Sequence, residues 1–85
     1  MDESELKKLS ALLKHWIEHS HEHAEEYNQW AQKAGADGYY DVVECLVSAA
    51  YGMGDVRHAL AIALEKLQIN ELNRKKQREH NLDNS

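Results

Sequence analysis

Along the first part of the chain, apolar and seam-type residues return at alternating spacings of three and four. Leu6, Leu9, Leu13, Trp16, Ser20, His23, Tyr27, Trp30 and Ala34 form one such series. This is a heptad seam, and it lasts for about four repeats. Leu12, Ile17, Ala24 and Ala31 widen it, while Lys7, Lys8, Lys14, Glu18, Glu22, Glu25 and Lys33 fall on the other faces. The pattern predicts a helix over residues 4–34. Asp2 or Ser4 can cap its start, although Ser4 with Lys7 three residues on lacks the acid of a capping box. Gly35 is the expected C′ residue.

The segment "GADG" then reads as a turn over 35–38, with Asp37 placed to cap a second helix over 39–80. Val43, Leu46, Ala50, Met53, Arg57, Leu60, Leu64 and Leu67 repeat the heptad spacing, flanked by Val42, Ala49, Val56 and Ala63. "YGMGD", residues 51–55, interrupts with two glycines, each costing about 1 kcal/mol inside a helix. The seam keeps its register across them. This favours a continuous or mildly kinked helix with close approach of a neighbour at the glycines; a break, with Asp55 capping a third helix, is the lesser alternative. The pattern fades after Leu72, so residues 81–85 are expected to fray.

Two long helices and a short turn make an antiparallel hairpin. The expected fold is all-α and coiled-coil-like, a single helical domain over 1–80. A lone hairpin leaves each wide apolar face half covered, which predicts a homodimer closing into a four-helix bundle.

Composition agrees. The 85 residues include no proline, four glycines and one cysteine, so no intramolecular disulfide can form. Cys45 beside the second seam reads as a small core residue. No apolar run approaches the roughly 20 residues of a membrane span. The N-terminus "MDESELKKLS" has no signal-peptide core, and a cytoplasmic protein is expected. The formal net charge of −5 argues against a nucleic-acid partner. The basic run "RKKQR", residues 74–78, suits a solvated helix C-terminus.

The chemistry concentrates in "KHWIEHSHEH", residues 14–23, which holds four of the six histidines. In the middle of the first seam, Trp16, Ser20 and His23 stand where leucines would be expected. Polar seam residues lower stability and persist where they fix register or bind something. His15, His19 and His23 follow one another at i, i+4 and i+8, so each neighbouring pair is one turn apart and can chelate one ion. Trp16 lies on the same side, with its indole placed for a cation–π contact. His21 projects away and reads as a solvent residue. Glu26, near His23, can order an imidazole N–H, as can Glu22. The metalloprotease pattern H-E-x-x-H is absent. No nucleophile–base–acid arrangement can be assembled, so no enzyme activity is expected. His58, on the second helix beside Arg57, reads as a surface residue or as a third ligand.

The order His15-Trp16-x-x-His19-x-x-x-His23 resembles the H-W-x2-H-x3-H signature of the CooJ family, nickel-binding accessory proteins of carbon monoxide dehydrogenase. All four specified residues match. The organisation is similar over most of the chain. The resemblance implies a homodimeric coiled coil binding Ni(II) at His15, His19 and His23, with the Trp16 ring against the metal. It implies storage or delivery of nickel to a nickel enzyme or its maturation ATPase. Family members carry a histidine-rich C-terminal tail, whereas this chain ends "EHNLDNS" with only His80. That departure bears on bulk storage and leaves the motif intact. Imidazole ligands alone suit Ni, Cu, Zn or Co, with Cu(II) first in the Irving–Williams order, so the choice of nickel comes from the resemblance. The rival reading is a structural or adaptor coiled coil with histidines decorating one face.

Overall fold

A computed structural model describes residues 1–83. Two helices, α1 (Glu3–Ala36) and α2 (Tyr40–Asp83), pack as one long antiparallel hairpin. The molecule measures 72 × 17 × 14 Å with a radius of gyration of 20.0 Å. A compact chain of this length would have a radius near 12 Å. No strand occurs among the described residues.

Asp2 starts α1. Its carboxylate accepts from the Glu5 amide at 2.8 Å, and the Asp2 amide donates back to the Glu5 carboxylate at 3.5 Å. The capping box that Ser4 and Lys7 could not make is therefore made two residues earlier, satisfying two amides at the helix start. At the other end, Tyr39 N–H donates to the Ala34 carbonyl at 2.9 Å, and Gly38 N–H to the Gly35 carbonyl at 3.1 Å. This pair of bonds is a Schellman motif, with Gly38 as its left-handed C′ residue at φ +84°. The expected terminator, Gly35, lies inside the helix instead. A methyl group there would sit 3.5 Å from the Val43 side chain, an ordinary contact. Asp37 is the C-cap of α1, not the N-cap of α2. The turn is thus 37–39 rather than 35–38. Asp41 in the first turn of α2 accepts from the Val42 amide at 2.9 Å and favours the positive end of the helix dipole.

α2 runs without a break through Gly52 and Gly54. No third helix begins at Asp55. The glycines are not points of close approach within the hairpin, because a Cβ at either would meet no atom within 4 Å. The helix also continues through residues 81–83, where fraying was expected. Residues 84 and 85, the remainder of that expectation, lie outside the described residues.

The core is thin. Among the described residues, Leu13, Ser20 and Ala31 of α1 are the buried ones, and no side chain is fully enclosed. The α2 seam is half-buried at Val43, Leu46, Ala50, Met53, Leu60, Leu64 and Leu67, with only Arg57 exposed. On α1 the buried line is rotated from the expected seam. Ile17, Ala24 and Ala31, read as flank, face α2, whereas Trp16 and Trp30 stay 40% and 60% exposed. Small residues at Ser20, Ala24 and Ala31 let the backbones approach; two indoles in that line would hold them apart. Cys45, expected as core, is exposed.

Candidate metal centre

The imidazoles of α1 form a row. The His15 and His19 rings stack with centroids 5.4 Å apart and planes 23° from parallel. The His19 and His23 rings are closer, at 4.6 Å, and tilted by 53°. Tyr27 continues the row at 6.0 Å from His23. The cause is the unbroken helix: residues four apart fall one above the next. The i+4 spacing of 15, 19, 23 and 27 would have announced Tyr27 as part of this row, and seam membership hid it.

The row contains two possible clips, His15 with His19 and His19 with His23, sharing His19. His15 and His23 lie about 12 Å apart along the axis, too far for one ion. His15 and His19 are exposed and His23 is half-buried, so the clips open to solvent. Nδ1 of His23 faces Glu26 Oε2 at 3.7 Å. That leaves Nε2 of His23 for a metal, with the carboxylate orienting the ring as expected. Trp16 lies one turn before Ser20, whose hydroxyl donates to the Trp16 carbonyl at 2.7 Å. This bond satisfies the buried serine within its own helix, so Ser20 is a packing residue rather than a ligand. Trp30 is occupied otherwise: Lys33 Nζ lies 4.3 Å from its ring centroid, a cation–π contact.

His21 leaves the row, as its position on the helix dictates. It is exposed yet partnered, close to Arg57 and to Glu25. His58 is exposed. Among the described residues, no three His, Cys, Asp or Glu side chains gather closely enough to hold one ion. One chain therefore offers pairs of imidazoles, the donor type that suits first-row divalent metals, with further positions left to water or another molecule. No described helix is long and apolar enough to cross a membrane.

No curated protein and no solved structure matches the chain. A family model does match, over residues 9–67, which takes in the whole histidine row, the turn and most of α2. The chain belongs to that family, described as a domain of unknown function, DUF8180.

Proposed function

We propose that this protein is a non-enzymatic, cytoplasmic nickel carrier. It binds Ni(II) on α1 at the clips that His19 forms with His15 and with His23, and hands it to a nickel enzyme, such as carbon monoxide dehydrogenase, or to a maturation ATPase. The observation that supports this most is the imidazole row, above all the 4.6 Å His19–His23 pair. An open two-imidazole clip suits cargo. It leaves coordination positions through which a receiving site can take the ion by ligand exchange, whereas a closed four-ligand site would retain it. The resemblance of His15-Trp16-x-x-His19-x-x-x-His23 to the CooJ signature supplies the choice of nickel. Homodimer formation belongs to the same reading, since a single hairpin has so thin a core.

A structural or adaptor coiled coil is the second reading, favoured by the lack of a three-ligand cluster among the described residues. Ni(II) titration of the purified protein by calorimetry separates the two. Binding that is lost in His19→Ala supports the carrier; absence of heat and of any spectral change leaves the adaptor.

A further inference from the structure

Between the turn and the middle of the molecule, the two helices leave a groove open along one side. Gly35, Val43, Val47 and Gly54, all half-buried, make its floor. A Cβ built on Gly54 would meet no atom within 4 Å, so the floor is unfilled there. Asn28 and Gln32 stand on the α1 rim, exposed. Tyr40 and Tyr51 stand on the α2 rim, 71% and 76% exposed. The contact of Gly35 with Val43 marks the turn end, and the Arg57 bond to His21 bridges the other. Those two levels are 14 residues apart on each helix, which is about 21 Å or four helical turns. A floor of small side chains between larger walls is the shape that accepts an amphipathic helix.

The charge of the rim has one sign. Tyr40, Glu44, Tyr51 and Asp55 follow at i, i+4, i+11 and i+15, so they share one strip of α2. Between residues 22 and 56 the chain carries seven carboxylates and one lysine. That lysine, Lys33, sits over the Trp30 ring, about 140° round α1 from Asn28. Arg57 is held by His21. The groove therefore offers exposed phenol rings beside carboxylates, with no cation of its own to pair them. Ring faces attract ammonium and guanidinium groups, and carboxylates at the same edge complement their charge.

We propose that this groove receives a basic amphipathic helix of another protein, about four turns long. The apolar stripe of that helix lies on Val43, Val47 and Gly54. Its lysines and arginines reach Glu44 and Asp55 across the Tyr40 and Tyr51 rings. The imidazole row stays open when the groove is filled, because His19, nine residues from Asn28, lies on the opposite side of α1. A carrier would hold its receiving protein in this way, and an adaptor its partner. The proposal rests on the shape and charge of the hairpin, not on nickel binding.

The test uses the full chain in EDTA and a dye-labelled synthetic peptide of about 14 residues, with leucines on one helical face and lysines on the others. A second peptide carries glutamates in place of the lysines. Fluorescence anisotropy at physiological salt is expected to show the lysine peptide binding at least tenfold more tightly than the glutamate peptide. Glu44→Lys with Asp55→Lys is expected to weaken it at least tenfold, and Tyr51→Ala several-fold. Glu18→Lys with Glu65→Lys changes the net charge equally, beyond the Arg57 bridge, and is expected to stay within twofold. Amide shifts in nuclear magnetic resonance spectra of the wild-type chain locate the peptide without any variant. They are expected at Tyr40, Val47, Tyr51 and Gly54, and not at His15, His19 or His23. Equal binding of the two peptides overturns the proposal. So does equal loss in the two charge-reversed chains, which would reduce the effect to net charge. Groove substitutions that alter only self-association in sedimentation, or shifts confined to the imidazole row, overturn it as well. A chain that binds the lysine peptide as expected but takes no Ni(II) defeats the carrier reading and leaves this one standing.

Discussion

Arg57 reaches across the hairpin to His21, with Nη1 2.6 Å from Nδ1. A guanidinium only donates, so Nδ1 of His21 accepts and the proton of the neutral ring sits on Nε2. That N–H points to Glu25 Oε1 at 3.1 Å. The link explains how an arginine is tolerated at a heptad seam position: Arg57 is exposed, and its head group turns to a histidine on the solvent side. It also takes the His21 lone pair out of metal chemistry.

His21→Ala is therefore expected to leave the Ni(II) dissociation constant within twofold of wild type. Because both partners are exposed, Arg57→Ala is expected to lower stability by no more than about 1 kcal/mol in urea unfolding. A large loss of nickel affinity in His21→Ala would move the site to the other side of α1.

Along the imidazole row the expectation is reversed. His19 belongs to both clips, so His19→Ala is expected to weaken Ni(II) binding more than His15→Ala or His23→Ala. In a Trp30→Phe background, Ni(II) is expected to quench Trp16 fluorescence. Trp16→Phe is expected to keep the helical circular dichroism and to weaken binding by about 0.5–2 kcal/mol, the range of a cation–π contact. Unaltered affinity in both His19→Ala and His23→Ala would exclude the row as the site.

Acid is expected to release the metal. An imidazole binds through the lone pair that a proton would occupy, so each bound histidine must be neutral and metal and proton compete. Affinity measured by competition with a chelator should fall steadily from about pH 8 to pH 5, the interval over which imidazoles change charge. Tight binding persisting at the acid end would point to Glu22, Glu25 or Glu26 as ligands.

The glycines of the turn and of α2 are expected to respond oppositely to alanine. Gly38 holds φ +84°, which a Cβ strains. Gly38→Ala is expected to cost about 1–2 kcal/mol in chemical unfolding. Gly52 is helical with open space where a Cβ would stand. Gly52→Ala is expected to stabilise by up to about 1 kcal/mol. A destabilised Gly52→Ala would show that a neighbouring chain reaches that position.

The site was more legible in the sequence than its surroundings. His15, His19 and His23 stand in a row because a helix turns about 100° per residue, which no tertiary contact alters. The Arg57 bond to His21 joins residues on different helices, and its partner was visible only once the hairpin register was known. Gly35 and Gly38 show the same limit on a smaller scale. Both suit a helix end, and the choice fell to the glycine whose position let Tyr39 and Gly38 donate back to the last carbonyls of α1.

Hydrophobic period, turn composition and the absence of proline were enough to determine two long helices and their antiparallel return, because each follows from local backbone preferences and a face that must be covered. They also determined that the apolar surface of α1 is wider than one helix can hide. Which strip of it α2 covers was decided only in three dimensions. Ser20 and Ala31 are buried while Trp16 and Trp30 remain outside. The heptad spacing admits either line, and the close approach of two backbones selects the one with small side chains.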